Sequence, residues 1–280
     1  TEGLSAKTVA DNITENEPKG RDYHGSFAIQ GKFINVDGLS KTTIDANKEV
    51  RQIKEALNLK YGVDYTIPEN KATLRYGKIR ILTDGDDDGI HIRGLLIRFF
   101  LQWPSLFQLN MIECLSTRVV SVTFPKTKTK PRHEICFYSN PEFKEWQSQN
   151  SHLLTPKVDV KYFKGLGSHK LGEERLYATD PKLVTYQYTG REQKYVQLGF
   201  NEKFVEKRKP WITDAIEEAK IAEPAYITEG NLSIKSFILN QLIIYHRITL
   251  KRCLPCIWDG LKDAQRKALY GILNSLYGSQ

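Results

Sequence analysis

The chain has 280 residues, 40% of them hydrophobic, which is enough for about two domains with a sizeable core. No apolar run approaches the roughly 18 residues that a membrane-spanning helix requires, and the first residues lack the pattern of a signal peptide. The formal net charge of +8 indicates a polyanionic partner. We therefore expect an intracellular protein that has no membrane partner.

The four cysteines do not predict a metal site. Only Cys253 and Cys256 form a Cys-x-x-Cys pair, and no second pair completes a zinc site. We predict that all four thiols, including Cys114 and Cys136, are reduced and mostly structural.

The chain does not start with Met, and we expect it to be a piece of a longer polypeptide. Glu2 and Gly3 are followed by small residues, a pattern typical of a strand that ends and turns into a helix; a frayed terminus would have the same composition. Next along the chain we predict a loop at 11–24, a strand broken at Gly31 over 26–36, a helix at 41–58 and a second loop at 59–75.

An acidic stretch follows and is the most informative part of the sequence. Residues 79–82 predict a buried strand, and the apolar pattern from Gly94 onward predicts a helix. Between them, Asp84, Asp86 and Asp88 stand at every second position. Ligands bind at the carboxyl ends of strands in α/β sheets, so we expect these carboxylates at the edge of a site. Hard oxygen ligands favour Mg²⁺ or Mn²⁺ over zinc or copper.

The acidic stretch has two alternative interpretations. A solvated acidic turn has the same composition. An EF-hand calcium loop also begins with Asp-x-Asp-x-Asp-Gly, but its twelfth position requires a bidentate Glu and is Leu95 here. The loop also follows a strand pattern instead of a helix, so the sequence excludes the calcium loop.

The rest of the chain alternates predicted strands, turns and basic segments. A Lys-Gly-Leu-Gly turn follows a predicted strand at 158–163, and its glycines let the backbone turn sharply or approach another group closely. A helix start rich in basic residues is well placed to receive a DNA phosphate. The other predicted segments are a strand at 117–124, a basic hairpin loop at 126–132, a strand at 134–138, a basic segment at 203–211, a helix and connector at 214–226, an apolar helix from Leu232 to the basic residues 247–252, and a turn with a basic helix start at 258–270.

Five motifs, in the right order and over nearly the whole chain, resemble the type IIA DNA topoisomerases, specifically the eukaryotic-type topoisomerase II. They are Glu2-Gly3-Leu4-Ser5-Ala6, Gln30-Gly31-Lys32-Phe33-Ile34-Asn35-Val36, the TOPRIM acidic signature (Leu74-Arg75-Tyr76-Gly77 and then Thr83 to Gly94), Tyr162-Phe163-Lys164-Gly165-Leu166-Gly167, and Asp259-Gly260-Leu261-Lys262 with Gln265-Arg266-Lys267.

The chain departs from the family pattern without losing a carboxylate of the metal signature. These departures predict a divergent member, and we hypothesise that its source is a large DNA virus. They are Leu4 for the usual Asp, Ile90 for Ser, Asp263-Ala264 for Pro-Gly, and Pro210 for Glu.

The resemblance implies an α/β fold. A TOPRIM Rossmann-like parallel sheet flanked by helices, with its first strand ending at Glu2, would be followed by the beginning of a mainly helical winged-helix domain. The implied domains are a TOPRIM core at 1–125, a TOPRIM extension and connector that carries the Lys-Gly-Leu-Gly turn at 126–225, and the truncated start of the winged-helix domain at 226–280.

By the same resemblance, Glu2, Asp84 and Asp86 would hold a catalytic Mg²⁺, which Mn²⁺ could replace, and Asp88 would complete or tune the acidic site. A metal beside a scissile phosphate polarises its oxygens and stabilises the leaving 3′-oxygen. Family matches also give candidate DNA contacts, mostly to the backbone: Lys32, Asn35, Arg208, Lys209, Arg252, Lys262 and Arg266.

The resemblance also implies what this stretch lacks. The family's nucleophilic tyrosine follows an arginine beyond the last motif seen here, and the only Arg-Tyr pair, Arg75-Tyr76, leads into the acidic signature, so we assign no nucleophile. ATP is expected only in the full-length enzyme, a homodimer that acts on double-stranded DNA. Its location would be the nucleus in a cellular eukaryote, or the host cytoplasm or nucleus for a virus.

Two alternatives to an ATP-dependent topoisomerase share the acidic signature. TOPRIM primases and nucleases use such carboxylates for polymerisation or hydrolysis, but the Lys-Gly-Leu-Gly and Asp-Gly-Leu-Lys motifs argue against them. A non-catalytic DNA-binding or recombination-mediator module would carry a vestigial cluster, and the presence of Glu2 with all three aspartates argues against that.

Overall fold

The computed structural model describes residues 1–127, 131–168, 173–218 and 226–277. Its strands are β1 (Ile79–Ile81), β2 (Ile112–Leu115), β3 (Val120–Phe124), β4 (His133–Phe137), β5 (Asp159–Tyr162), β6 (Leu183–Gln187) and β7 (Gly230–Ser233). Its α-helices are α1 (Gly3–Asn16), α2 (Lys41–Ala46), α3 (Lys48–Leu57), α4 (Pro68–Lys71), α5 (Asp87–Phe100), α6 (Pro104–Gln108), α7 (Asn140–Asn150), α8 (Arg175–Thr179), α9 (Gln193–Phe200), α10 (Val205–Glu218), α11 (Ile234–Ser236), α12 (Ile243–Cys253) and α13 (Asp263–Tyr277). A π-helical segment, Phe237–Leu242, joins α11 to α12.

The main sheet has the strand order β1-β2-β6-β7. Strand β1 runs parallel to β2 and β6 runs parallel to β7, whereas β2 and β6 are antiparallel. The expected α/β class is therefore confirmed, and the sheet is mixed: the long insertion between β2 and β6 returns the chain in the opposite direction. No helix in the described ranges is long and apolar enough to cross a membrane.

The insertion between β2 and β6 carries a second sheet, with the order β4-β3-β5 and antiparallel pairing throughout. Its strands lie within or next to the segments predicted at 117–124, 134–138 and 158–163. The basic loop predicted at 126–132 lies at its hairpin, and residues 128–130 of that loop lie outside the described residues.

Helix α5 forms the centre of the main core. Ten of its fourteen residues are buried, so it packs against neighbours nearly all round. Gly94 makes this close packing possible, because a Cβ there would come within 2.9 Å of Phe200 Cζ and 3.4 Å of Leu242 Cδ1. The position of α5 in turn determines where the acidic residues at its start lie.

Several predicted elements in the first half differ from the structure. The loop predicted at 11–24 begins only after Asn16, because residues 11–16 continue helix α1 and Ile13 of this stretch is buried. The helix predicted at 41–58 is divided into α2 and α3 at Asn47, whose backbone is extended and whose Oδ1 accepts a hydrogen bond from Val50 N at 3.0 Å. The strand predicted at 26–36, and the first strand expected to end at Glu2, are reduced to one parallel bridge between Glu2 and Ile29. Beyond that bridge, Gly31 adopts a φ of 74° that ends any extended pairing.

Three further differences concern the helical segments. Pro68 starts the short helix α4 inside the predicted loop at 59–75. The basic residues 203–211 lie largely in α10, and of the helix and connector predicted at 214–226, residues 219–225 lie outside the described residues. The helix predicted from Leu232 begins at Ile234, because Leu232 lies in β7 and the Ser233 side chain caps the helix.

Candidate metal centre and nucleic-acid interface

The loop after β1 and the first turn of α5 carry the aspartates. Asp86 is the N-cap of α5, and its Oδ1 accepts a hydrogen bond from the backbone of Gly89 at 2.9 Å. Asp87 and Asp88 lie in the first turn, where the helix dipole favours negative charge. A Cβ at Gly89 would overlap the backbone of Asp84, so this glycine lets the loop fold closely onto the helix.

Glu2 reaches this loop from the other end of the sequence. Its backbone N–H donates to Leu82 O at 3.0 Å, which places it beside the end of β1. The backbone N–H of Asp84 then donates to Glu2 Oε2 at 3.2 Å. The structure thus brings together Glu2 and the acidic signature, as the family resemblance implies.

The Lys-Gly-Leu-Gly turn completes the surroundings of Asp84. The backbone N–H of Leu166 donates to Asp84 Oδ1 at 2.8 Å. A Cβ at Gly165 would overlap the Asp84 carboxylate, so the glycine provides the space that this carboxylate occupies. The close approach expected of this turn is therefore an approach to Asp84.

The carboxylates lie near enough to influence one another. Burial raises the pKa of Glu2, and the negative charges of Asp84, Asp86 and Asp88 raise it further against the lowering effect of the Asp84 N–H. Burial also raises the pKa of Asp87, where Arg252 acts in the opposite direction. A bound cation would relieve this repulsion.

Asp88 differs from its neighbours because it has two cationic partners. Lys32 Nζ lies 2.9 Å from its Oδ1, and Arg252 Nη1 lies 3.0 Å from its Oδ2. The hydrogen bond from Lys32 holds the pKa of Asp88 below its usual range, and Arg252 adds to this effect.

The donor chemistry fits a hard divalent cation, because the acidic side chains that gather here offer carboxylate oxygens and raise one another's pKa. They do not form a preassembled cage, however. Within the parts of the chain that the structure describes, no group of three or more His, Cys, Asp or Glu side chains is arranged to hold a metal ion. The hydrogen bonds of Glu2 and Asp84 hold these two carboxylates in place beside each other.

Comparisons with a family model and with related sequences both point to the TOPRIM-containing topoisomerases. A family model described as the C-terminal associated domain of TOPRIM matches residues 115–250. DNA topoisomerase 2-alpha of Mus musculus is 37% identical over 282 residues, and DNA topoisomerase 2 of Drosophila melanogaster is 34% identical over the same length. Each alignment covers 96% of this chain but only 18% and 19% of the respective relative, so the chain spans about a fifth of those proteins.

A solved structure agrees with these sequence relatives. The crystal structure of the Plasmodium falciparum topoisomerase II DNA-binding, cleavage and re-ligation domain matches with a TM-score of 0.80 at 31% identity, covering 98% of this chain and 36% of that one. The chain belongs to the type II DNA topoisomerase family. This confirms the resemblance drawn from the five motifs, and the TOPRIM homology implies the use of a metal. The hypothesised viral source stays a prediction.

Two predicted DNA contacts of this topoisomerase chain have internal partners at the end of α9. Asn35 Nδ2 donates to Phe200 O at 2.8 Å, and Arg208 donates to Leu198 O and to Asn201 O, both at 2.7 Å. Phe200 O and Leu198 O belong to the last turn of this helix, whose carbonyls have no intrahelical partner. Asn201 O also accepts a backbone hydrogen bond from Phe204 N. Their role as DNA contacts stays a prediction.

The remaining predicted contacts lie on α10 and around the start of α13. Lys209 is exposed and pairs with Glu206 at 2.7 Å. Lys262 is exposed at the turn before α13. Arg266 pairs with Asp259 at 2.8 Å and with Asp263 at 3.0 Å. Four of the predicted contacts are thus paired with carboxylates of the chain itself: Lys32, Lys209, Arg252 and Arg266.

Sequence analysis missed three residues that support the acidic loop. Arg93 is buried in α5 and donates to Thr83 Oγ1 at 3.3 Å, directly before Asp84. His91 stacks on Tyr245 of α12 with ring centroids 4.0 Å apart and planes 8° apart. All three residues lie in the apolar helices α5 and α12, so Tyr245 cannot be told from a core residue by its sequence context. His91 and Arg93 are polar residues inside an apolar run, and this is the one sequence feature that could have identified them.

Proposed function

We propose that this chain is the metal- and DNA-binding part of an ATP-dependent type II DNA topoisomerase, an isomerase that makes a transient double-strand break and passes a second duplex through it. The observation that carries the proposal is the convergence of Glu2 with Asp84, residues 82 positions apart that share a hydrogen bond. The family match over 96% of the chain favours this function over a TOPRIM primase or nuclease.

The proposed cofactor is Mg²⁺, with Mn²⁺ as a substitute. Glu2, Asp84 and Asp86 would hold it, and Asp88 would complete or tune the site. When bound, such an ion would polarise a phosphate oxygen and stabilise charge on a leaving oxygen. Other groups of the chain would hold these ligands in position. The Leu166 amide and the space left by the missing side chain of Gly165 orient Asp84, and the Gly89 amide orients Asp86.

The proposed partner is double-stranded DNA, bound through the seven predicted contacts, and in the full-length protein a second copy of the same chain. ATP use belongs to the full-length protein, as does the nucleophile, which we assign to no residue in this stretch. The implied division of the chain near residues 125 and 225 and an intracellular location are parts of the same proposal.

The test is the Asp86→Asn variant of the intact protein. Asn is as good an N-cap as Asp, so the substitution removes a charge and retains the start of α5. We expect loss of Mg²⁺-dependent DNA cleavage and of plasmid relaxation, with duplex binding largely retained. Asp64→Asn is the matched control, because Asp64 is exposed and caps a separate turn. Relaxation at the normal rate by Asp86→Asn would refute the metal role.

A further inference from the structure

Cys253 and Cys256 form the Cys-x-x-Cys pair of the chain, and the structure places this pair at the end of α12. Cys253 is the last residue of the helix and is exposed, Cys256 is half-buried, and both are free thiols. Only Leu254 and Pro255 separate them. Accessible thiols at this spacing can take part in thiol–disulfide exchange. Neither thiol has a role in the proposed metal centre.

The segment between the two cysteines connects α12 to the turn before α13. No residue from His246 to Leu276 is buried. The apolar core clusters of the described structure include no residue beyond Tyr245. Core packing therefore does not fix the backbone between the cysteines, and this segment can change its conformation without breaking buried contacts.

Cys256 is attached to the turn that leads into α13. Its backbone N–H donates to Leu261 O at 2.9 Å. Arg266, in the first turns of α13, donates to the same oxygen at 3.3 Å. Cys256 is thus connected to the start of α13, whereas Cys253 belongs to α12. The two thiols lie on either side of the connection between these helices.

We propose that Cys253 and Cys256 are a redox-active dithiol that reacts with small-molecule disulfides, and that the resulting intramolecular disulfide weakens DNA binding by moving α13 relative to α12. The thiolate of one cysteine attacks a sulfur of the small disulfide, which forms a mixed disulfide and releases one small thiol. The thiolate of the other cysteine then attacks the protein sulfur of the mixed disulfide and releases the second small thiol. The dithiol loses two electrons and two protons, and the small disulfide gains them.

Closure of this disulfide requires a change in the backbone. The Cα atoms of a disulfide lie about 4.4 to 6.8 Å apart. Leu254 is extended, with φ −81° and ψ 130°, and the N–H of Cys256 bonds to Leu261 and closes no turn on Cys253. The segment must therefore fold more tightly when the bond forms. Exposed disulfides are more easily reduced than buried structural ones, so the reaction is reversible.

Predicted DNA contacts lie on both sides of this segment. Arg252 directly precedes Cys253, and Lys262 and Arg266 follow the turn. Tighter folding changes the spacing between these cations, so they no longer contact one duplex together. This consequence rests on the proposed function, whereas the disulfide chemistry does not. Loss of one phosphate contact corresponds to about a tenfold rise in Kd at about 0.1 M salt.

Mass spectrometry of the intact protein tests the chemistry. The protein is incubated with oxidised glutathione, its remaining thiols are blocked with N-ethylmaleimide, and trypsin then cleaves after Arg252 and Lys262 to release residues 253–262, which contain both cysteines of the pair and no other. We expect this peptide to lose the mass of two hydrogen atoms, and dithiothreitol to restore it. In Cys253→Ser the peptide should carry one glutathione instead. A peptide with two maleimides, or one linked to a second chain, would overturn the inference.

Fluorescence anisotropy with a duplex tests the consequence, at about 0.1 M salt and without divalent metal. Oxidation should raise the Kd of the unmodified protein about tenfold. It should not change the Kd of the Cys253→Ser, Cys256→Ser double variant, which retains Cys114 and Cys136 and so controls for oxidation of other thiols. No change, or equal changes in both proteins, would overturn the inference and leave the proposed function intact. Failure of the reduced, unmodified protein to bind the duplex would overturn the proposed function and with it the effect on DNA, whereas the mass measurement would still decide the chemistry.

Discussion

The backbone amide of Leu166 donates a 2.8 Å hydrogen bond to Oδ1 of Asp84, across 82 residues of sequence. This bond joins the Lys-Gly-Leu-Gly turn to the acidic loop, and Gly165 leaves the space in which the Asp84 carboxylate lies. The two motifs are therefore parts of one site. The turn orients a carboxylate for the proposed metal and does not itself supply a ligand.

The first prediction concerns Gly165→Ala. The φ of Gly165 lies outside the left-handed region, so an alanine changes contacts without backbone strain, and its Cβ would displace the Asp84 carboxylate. Groups that orient a metal ligand typically change metal affinity by about 10- to 100-fold, and we expect Mn²⁺ binding by calorimetry to weaken by about tenfold or more. Gly77→Ala, where a Cβ meets nothing within 4 Å, should bind Mn²⁺ normally. Normal binding by Gly165→Ala would show that the turn does not orient the site.

The second prediction is a loss of stability between pH 7 and pH 5. Burial lowers the pKa of His91 and of His246 to about 4, and one ring nitrogen of each, His91 Nδ1 and His246 Nε2, is buried without a hydrogen-bond partner in the described structure. Below pH 6.5 the two imidazoles take up protons in the unfolded chain but not in the folded chain. The free energy of unfolding is therefore highest above pH 6.5 and decreases as the pH falls toward 4. Each imidazole should cost roughly 1 to 2 kcal/mol over this range.

Urea unfolding at pH 7 and pH 5 measures this loss. His246→Phe should reduce the difference between the two pH values, because phenylalanine keeps the ring beside Trp211 and cannot take up a proton. His152→Phe is the control, because His152 is exposed. An unchanged pH dependence in His246→Phe would show that this imidazole is not the cause.

The third prediction concerns Lys262, which is exposed at the turn before α13. If it contacts a DNA phosphate, Lys262→Ala should weaken binding similarly for different duplex sequences and reduce the salt dependence of log K by about one unit. Lys144→Ala removes an exposed lysine that is not among the predicted contacts and should leave the slope unchanged. Equal slopes for Lys262→Ala and the unmodified protein would argue against a phosphate contact.

The parts of the site that the sequence could predict are local. The order strand, acidic loop and helix at residues 79–100 follows from a β-branched run, a capping aspartate and an apolar helical pattern, and β1 and α5 confirm it. One local feature was predicted wrongly. The apolar pattern predicts a single helix at 41–58, but the side chain of Asn47 caps a new helix and divides the segment in two.

The rest depends on contacts that no local pattern contains. Glu2 is positioned by its bridge to Ile29 and by the hydrogen bond from its N–H to Leu82 O, and only the family resemblance connected it with the aspartates. The pairing of Asp88 with Lys32 and Arg252 requires three segments of the chain to meet at the start of α5. The sequence shows that these charged residues are present, but only the tertiary structure shows which of them form pairs.

The most direct test of the account is Mn²⁺ binding by calorimetry, in the presence of nicked duplex, for the unmodified protein and its Glu2→Gln variant. The glutamine amide oxygen can still accept the hydrogen bond from Asp84 N–H, so the variant changes the charge and keeps the contact. Glu145→Gln, at an exposed position on α7, is the control. Weakening of Mn²⁺ binding by about tenfold or more in Glu2→Gln alone is the predicted result. Equal binding by all three proteins would mean that the aspartate loop suffices for the metal, and would contradict the convergence on which the proposed function rests.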